Sequence, residues 1–333
     1  MKPQILVSAV TAGSGKTLFT MGLLRALKNR GMKVQPYKCG ADFIDSQYLS
    51  IAADKESVNL DVWMSSPTHT QHIYNRYGEQ ADACITEGAA ALFDGYRRMQ
   101  GSSAEIASIL NLPVILLVNA RMAGYSVAPL LYGYKHFYSG VHIAGVIFNQ
   151  VSSPAHYAHL REACSDTGLD CLGYLPVMEG FKLSPKHNAI SLANRRIIDE
   201  QANLIASQIE KSIDINRMLN RCNRNFPCQY TLPYYSDTED DMHTFPMHKI
   251  KIAIARDPAF NFTYQENISR LRKIGEITHF SPLYGYDLPE ADLIYIPGGY
   301  PELFARQLHR RRKMLESLKE YAEAGGKIFA ECG

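Results

Sequence analysis

The stretch SAVTAGSGKT, residues 8–17, constrains the fold of this chain more than any other segment. It follows the apolar run QILVSAV and leads into KTLFTMGLLRALKNRG, which has apolar residues at helical spacing and stops at Gly31. A buried strand, a glycine-rich turn ending in Gly-Lys-Thr and an amphipathic helix are typical of a phosphate-binding loop. Val10 stands where the usual loop has its first glycine, so the sequence predicts a variant of that loop.

Apolar runs recur along the first part of the chain and alternate with helical patterns. The runs are MKVQPYKCG, ADACITEG, PVILLVNA, IAGVIFNQV and CLGYLP. Strands that alternate with helices predict an α/β fold with a doubly wound, mostly parallel sheet. The ligands of such sheets bind at the carboxyl ends of the strands, so polar residues that follow the runs are candidate site residues.

The chain of 333 residues is long enough for two domains. The pattern changes in the polar, proline-bearing segment NRCNRNFPCQYTLPYYSDTEDDMHTFPMH, and a strand pattern restarts at HKIKIAIARD. We expect a nucleotide-binding domain over residues 1–205, a helix end and linker over 206–248, and a second, incomplete α/β domain over 249–333.

Composition and charge argue against several classes of function. Apolar residues make up 46% and charged residues 20%, as in ordinary globular proteins, and no apolar run is long enough to cross a bilayer. The formal net charge of +2 gives no reason to expect nucleic acid or a membrane as a partner. The 7 cysteines lack C-x-x-C spacing, and the N-terminus does not resemble a signal peptide. We therefore expect a cytoplasmic enzyme.

The loop residues indicate what the site binds. Backbone amides of Gly13, Ser14 and Gly15 at a helix N-terminus are expected to hold phosphate oxygens. Lys16 is expected to contact the terminal phosphates, and the Thr17 hydroxyl is expected to bind Mg²⁺. The loop therefore predicts a nucleotide with Mg²⁺.

Charged residues follow two of the other strand patterns. The segment PYKCGADFID supplies Lys38 as a candidate nucleotide-binding residue, Asp42 as a candidate metal ligand and Asp45 as a catalytic candidate that orients substrate. The segment ACITEGAAALFDG places Glu87 at a strand end, as a metal ligand or catalytic carboxylate, with Asp94 in a second polar cluster. The alternatives are a solvated turn for the first segment and a turn cap for Glu87.

Two residues near the ends of later strands are candidates for holding the nucleotide base. Asn149, in GVIFNQV, has an amide that offers a donor and an acceptor side by side, as a purine edge requires. The segment GYLPV, which contains Pro176, would bring backbone groups close to the same base. Asn149 can equally just terminate its strand.

The final strand pattern, KIFAECG, places Cys332 directly after an apolar strand. A cysteine on a sharp turn after a strand is exposed and becomes a nucleophile when a histidine deprotonates it. Gly298 and Gly299, in IPGGYPE, and Gly333 offer backbone amides for an oxyanion hole. A buried structural cysteine is the alternative.

Together these segments resemble the cobyrinic acid a,c-diamide synthase family of cobalamin biosynthesis. The segments VTAGSGKT, VQPYKCGADFID, EGAAALFDGY, GVIFNQVSSPAHYAHL, LSPKHNAISL, IYIPGGYPEL and AECG follow the family's order over nearly the whole chain. The resemblance implies an ATP-binding amidoligase domain joined to a class I-type glutaminase domain with a Cys–His pair. It further implies cobyrinic acid, ATP with Mg²⁺, and glutamine or ammonia as ligands, and it favours a homodimer.

The implied reaction amidates the a and c acetate side chains of the corrin in turn. A corrin carboxylate attacks the γ-phosphate of ATP to form an acyl phosphate, and ammonia freed from glutamine at Cys332 displaces the phosphate. Lys16 and the loop amides, with Mg²⁺ on Thr17, an aspartate and Glu87, would neutralise the charge that develops.

The sequence departs from the family pattern in two places. Ala9 and Ala12 replace the glycine and the serine or threonine common in the family loop, which alters details of phosphate contact. The family supplies its activating histidine well after the cysteine, and no histidine follows Cys332 here. We therefore expect the glutaminase half to be inactive in this chain, with free ammonia as the nitrogen source.

Other functions share parts of this pattern. Cobyric acid synthase has both domains but amidates other side chains, and the hydrogenobyrinate and Ni-sirohydrochlorin a,c-diamide synthases differ in the tetrapyrrole. A partition-type ATPase switch has a similar loop, but it is expected to carry a lysine near the position of Thr11 and a membrane- or DNA-binding tail. Dethiobiotin synthetase would lack the second domain.

Overall fold

The computed structural model describes residues 1–178, 192–228 and 249–332, with the side chains of 192–194 excepted. These residues form two compact units, one of residues 1–178 and 196–228 and one of residues 192–195 and 249–332. All 7 cysteines lie in the described ranges, and none forms a disulfide. No helix in these ranges is both long and apolar enough to cross a membrane.

The first unit is built around a parallel sheet whose strands follow the spatial order β3-β2-β4-β1-β5-β6-β7. The strands are β1 (Lys2–Ala9), β2 (Val34–Cys39), β3 (Val58–Leu60), β4 (Ala83–Glu87), β5 (Val114–Asn119), β6 (Ile143–Val151) and β7 (Cys171–Pro176). The chain winds to one side of β1 as far as β4 and to the other side from β5 onward. The carboxyl end of β1 therefore lies at the switch point where ligands bind in such sheets, and the predicted fold class is confirmed.

Helices connect these strands and cover both faces of the sheet. They are α1 (Lys16–Asn29), α2 (Phe43–Ala53), α3 (Pro67–Gly78), α4 (Ser103–Ile109), α5 (Val127–His136), α6 (Pro154–Asp166), α7 (Leu192–Ser212) and α8 (Ile215–Arg221). The hydroxyls of Ser66, Ser102 and Ser153 accept backbone amides in the first turns of α3, α4 and α6. Each such cap stabilises its helix by about 1 kcal/mol and fixes where the preceding loop ends.

The segment 206–248, predicted as a helix end and linker, contains further elements after the helix end. Its described part, residues 206–228, contains the end of α7, all of α8 and the short strand β8 (Asn223–Arg224), which pairs antiparallel with β1. The Gln71 amide donates to the Cys228 carbonyl at 2.7 Å, which ties this segment to α3. The first unit thus extends at least to Cys228, and residues 229–248 lie outside the described residues.

The contact between α1 and α7 gives a test of how α7 packs in the first unit. A Cβ atom added to Gly22 of α1 would lie 2.4 Å from Ile205 Cγ2 and 2.7 Å from Ile209 Cδ1. We expect Gly22→Ala to lower the free energy of unfolding by about 1–3 kcal/mol through overpacking. The control is Gly133→Ala in α5, where the added Cβ meets no atom of another element within 4 Å. Because alanine has the higher helix propensity, this change is expected to raise the free energy of unfolding by up to about 1 kcal/mol. Urea denaturation measures both, and equal effects would contradict the docking of α7 on α1.

The second unit has its own parallel sheet, in the order β11-β9-β12-β14. Its strands and helices are β9 (Ile250–Ala255), α9 (Gln265–Ile274), β11 (Gly275–Phe280), β12 (Leu293–Ile296), α10 (Ala305–His309), α11 (Arg312–Glu323) and β14 (Lys327–Ala330). A separate antiparallel pair consists of β10 (Phe260–Phe262) and β13 (Gly298–Gly299). Apolar clusters lie on both faces of the sheet, so this unit is also α/β.

Candidate active site

The phosphate-binding loop connects the buried end of β1 to the first turn of α1. Gly13 and Gly15 have φ angles of 74° and 90°, in the left-handed region that glycine adopts without strain. Ser14, between them, is buried, and its hydroxyl donates to the Thr11 carbonyl at 2.7 Å. No side chain caps the first turn of α1, so backbone amides at this helix N-terminus remain for an anion.

Val10 fits the position of the usual first glycine because the backbone there lies outside the left-handed region. Its amide donates to the Leu117 carbonyl at 3.2 Å, and its carbonyl accepts from the Tyr134 hydroxyl at 2.7 Å. These contacts hold the start of the loop against β5 and α5. The variant loop therefore keeps its shape without a glycine at this position.

Asn149, at the end of β6, supports the loop from the other side. Its Nδ2 donates to the Ser14 carbonyl at 2.8 Å, and its Oδ1 accepts from the Gln150 amide at 2.9 Å. A Cβ atom on Gly15 would lie 2.4 Å from Asn149 Nδ2, so a glycine is needed there. These bonds use one of the two N–H groups and one of the two lone pairs of the amide, so Asn149 supports the loop and its predicted purine contact stays a prediction.

Lys16 lies between the loop and the segment that follows β4. Its ammonium donates to the Ala90 carbonyl, and Ala90 itself has a φ angle of 42°. A left-handed non-glycine residue costs free energy and is common at functional sites. The segment is held in place by the Leu92 amide, which donates to the Ala9 carbonyl at 2.9 Å. The structure thus brings Lys16 and the residues after β4 together.

A buried charged cluster lies at the ends of β2 and β4. The Lys38 ammonium donates to Asp45 Oδ2 at 2.9 Å and to Glu87 Oε1 at 2.6 Å. Burial alone would lower the pKa of Lys38, but the Glu87 and Asp45 carboxylates outweigh burial and raise that pKa. Burial raises the pKa of Glu87, and the Lys38 ammonium opposes that shift. Lys38 is 2% exposed and bound to both carboxylates, so it holds Glu87 in place, and its predicted role in binding the nucleotide stays a prediction.

Glu87 connects this cluster to the phosphate-binding loop. The Thr17 hydroxyl donates to Glu87 Oε1 at 2.9 Å, and Glu87 Oε2 is buried and has no hydrogen-bond partner among the residues that the structure describes. The described residues contain no group of three or more histidine, cysteine or carboxylate side chains that could hold a metal. Mg²⁺ usually takes one or two carboxylates and completes its shell with phosphate oxygens and water. Thr17 and the unpartnered oxygen of Glu87 therefore fit Mg²⁺ carried by a nucleotide.

Three other predicted site residues lie at the same edge of the sheet but in different settings. Asp42 caps α2, because its Oδ1 accepts from the Ile44 and Asp45 amides at 3.0 and 2.9 Å. Asp94 is exposed in the loop after β4. Pro176 ends β7 beside β6. Their predicted roles in metal binding, catalysis and base contact stay predictions.

In the second unit, Cys332 lies two residues after the end of β14 and is exposed. Its φ angle of 68° puts it in the left-handed region, which for a non-glycine residue indicates a strained turn after a strand. A Cβ atom on Gly298 would lie 2.7 Å from Cys332 Cβ, so only glycine allows this approach. The structure thus places Gly298 beside Cys332 and Gly299 next to it in β13, whereas Gly333 lies outside the described residues.

The sequence reasoning missed an aromatic pair at the carboxyl edge of the first sheet. The rings of Trp63, after β3, and Tyr96, after β4, have centroids 4.4 Å apart at an interplanar angle of 68°. Both side chains are largely exposed. The signal was available, because the single tryptophan of the sequence stands in a polar turn directly after a strand pattern.

A phosphate-binding loop at the switch point of one sheet and a cysteine on a strained turn in a second α/β unit define a class of protein. The class is a ligase with a nucleotide-binding domain and a glutamine amidotransferase domain. Family models agree with both halves. Residues 5–192 match the CobQ/CobB/MinD/ParA nucleotide binding domain, and residues 251–333 match the CobB/CobQ-like glutamine amidotransferase domain.

The chain belongs to the cobyrinate a,c-diamide synthase family, so the resemblance stated from the sequence is confirmed. A relative of that name from Saccharolobus solfataricus is 36% identical over 99% of this chain and 74% of its own length. Another from Methanosarcina barkeri is 38% identical over 99% of this chain and 69% of its own. A third from Listeria innocua is 34% identical over 99% of this chain and 73% of its own. The predicted enzyme class, a ligase of the amidotransferase type, is confirmed as well.

Proposed function

We propose that this chain amidates the a and c acetate carboxylates of cobyrinic acid, with ATP and Mg²⁺ as cofactors and glutamine or ammonia as nitrogen donor. The observation that carries the proposal is the buried Glu87 carboxylate, which joins Thr17 of the phosphate-binding loop to the Lys38–Asp45 pair. In this cluster Lys38 holds the Glu87 carboxylate next to Thr17, which is where a cation bound to the nucleotide phosphates would lie. The names of the relatives support the choice of substrate.

Two transfer steps make each amide. A substrate carboxylate oxygen bonds to the γ-phosphorus of ATP, the bond to the bridging oxygen breaks, and ADP leaves. Ammonia then bonds to the acyl carbon, and phosphate leaves with the amide nitrogen giving up a proton. The amides of the loop and the Lys16 ammonium would stabilise charge on the transferring phosphoryl group, and Mg²⁺, when bound, supplies further neutralisation.

Cys332 is the proposed nucleophile for releasing ammonia from glutamine whenever a histidine activates its thiol, and free ammonia is the nitrogen source of this chain without one. The histidine takes the thiol proton, the thiolate bonds to the side-chain amide carbon, and the histidine returns the proton to the nitrogen, which leaves as ammonia. Water later hydrolyses the glutamyl thioester to glutamate and the free thiol. Backbone amides of Gly298 and Gly299 are proposed to stabilise the oxyanion. Such a thiol needs reducing conditions, and the free state of every cysteine is consistent with a cytoplasmic site of action.

The substrate can be tested directly with ammonium chloride in place of glutamine. Turnover of Mg·ATP is measured with cobyrinic acid, hydrogenobyrinic acid and Ni-sirohydrochlorin in parallel, and the products are read by mass. We expect a gain of two amide units on cobyrinic acid. A gain of two amides on only one of the other tetrapyrroles would make that compound the substrate. ATP hydrolysis at the same rate with and without each tetrapyrrole would contradict the proposed function and favour the partition-type ATPase.

A further inference from the structure

An exposed apolar patch stands at the carboxyl edge of the first sheet. Trp63 is 68% exposed, Met64 57% and Tyr96 59%, and the two aromatic rings touch edge to face. Single exposed apolar side chains are common, but a contiguous patch that includes paired aromatic rings indicates a binding surface. The patch therefore suits a ligand that has an apolar face.

The two rings are held by the backbone of their loops. The Trp63 amide donates to Asp61 Oδ1 at 2.8 Å, and the Tyr96 amide donates to the Gln100 carbonyl at 2.9 Å. A Cβ atom on Gly101 would lie 2.7 Å from Tyr96 Cδ1, so the ring lies directly on this glycine. A surface fixed in this way loses little conformational entropy when a ligand binds.

The turn that carries Tyr96 also carries positive charge. Arg97 and Arg98 follow Tyr96, are both exposed, and lie in a tight turn in which the Gly95 amide donates to the Arg98 carbonyl at 2.8 Å. Within the described ranges, no ion pair joins either guanidinium to a carboxylate. Guanidinium groups bind carboxylates with two parallel hydrogen bonds and also stack on flat π systems. The patch thus suits a ligand that is both flat and anionic.

The patch lies at the same edge of the first sheet as the phosphate-binding loop. The Tyr96 turn continues the segment after β4 in which the Ala90 carbonyl accepts from Lys16. On the other side, β3 and its Trp63 turn are separated from β4 only by β2. A ligand on the two rings therefore lies at the same edge of the sheet as the proposed phosphoryl transfer.

We propose that Trp63, Tyr96, Arg97 and Arg98 form a platform for the tetrapyrrole substrate. This inference rests on the proposed function. The two rings contact the flat macrocycle, and the two guanidinium groups bind carboxylates that do not react in that turnover. The platform holds a rigid ring in one orientation, which selects the carboxylate that reaches the γ-phosphate.

The single tryptophan of the sequence provides a binding signal that is independent of turnover. Cobyrinic acid is titrated without ATP while the fluorescence of Trp63 is followed in the wild type, Tyr96→Ala, the double variant Arg97→Ala/Arg98→Ala, and Tyr132→Ala. Tyr132 is the matched control, because it is 58% exposed and contacts His136 on α5. We expect each platform variant to raise the Kd and the KM for cobyrinic acid about tenfold or more, with little change in kcat or in ATP affinity.

The outcomes separate the platform from the proposed function. The effect of the double arginine variant is expected to shrink as salt is added, while that of Tyr96→Ala persists. Amidation with an unchanged KM in both platform variants overturns the platform and leaves the proposed function standing. Binding that depends on the platform residues, without amidation, supports the platform and overturns the function. A wild type that neither binds nor amidates any of the three tetrapyrroles overturns both.

Discussion

Replacing Lys16 with alanine is expected to lower ATP-dependent amidation by about a thousandfold or more. Lys16 is 8% exposed and begins α1, directly after the two left-handed glycines of the loop. Phosphoryl transfer depends on fixed positive groups around the transferring oxygens, and a low-dielectric site increases the contribution of each group. No other lysine of α1 occupies a comparable position, since Lys28 lies at the opposite end of the helix.

Lys28→Ala is the matched control for this prediction. Lys28 lies on the same helix and forms an exposed ion pair with Asp54 at 3.0 Å. Its loss is expected to leave amidation within about twofold of the wild type, because exposed ion pairs contribute about 0–1 kcal/mol to stability. Phosphate release and amide formation are measured together with ammonium chloride and saturating cobyrinic acid. Retention of more than a tenth of the wild-type rate in Lys16→Ala would contradict the role given to Lys16.

Local sequence signals predicted the phosphate-binding loop and the positions of the candidate residues after the strands. A glycine loop between a strand and a helix involves neighbouring residues, and a parallel sheet places all strand ends at one edge. Thr17 and Glu87 are therefore brought together as the sequence implied. The position of Cys332 after the final strand could also be predicted, because it depends only on the local strand pattern.

Contacts between residues far apart in the sequence could not be predicted from the sequence alone. Lys38 faces Glu87 because β2 lies beside β4 in parallel register, and strand order does not follow from periodicity. Asn149 has the amide chemistry for a base, but only the fold shows that one of its N–H groups donates to the Ser14 carbonyl of the loop. The extent of the first unit was missed because β8 is two residues long and leaves no strand pattern in a polar segment.

Lys38→Met is expected to reduce the free energy of unfolding by about 3–5 kcal/mol, because it leaves buried carboxylates without their cation. Glu87 is fully buried and its pKa is already raised by burial. Without Lys38 that pKa rises further, so the folded state binds a proton that the unfolded state releases. Stability gained from this proton is present at acidic pH and is lost as pH rises above the ordinary carboxyl range. The destabilisation therefore grows from mildly acidic to neutral pH.

The double variant Lys38→Met/Glu87→Gln separates the charge from the packing. If the cost arises from an unpaired Glu87 carboxylate, the glutamine restores part of the stability and removes most of its dependence on pH. Asp45 retains its carboxylate in this variant, so recovery is expected to be partial. Lys28→Met is the exposed control, with an expected cost of about 0–1 kcal/mol. Urea denaturation between mildly acidic and neutral pH measures all four proteins. A Lys38→Met cost that is the same at every pH and unchanged by Glu87→Gln would show that the ammonium does not hold Glu87 ionised, and the proposed Mg²⁺ ligand would lose its physical basis.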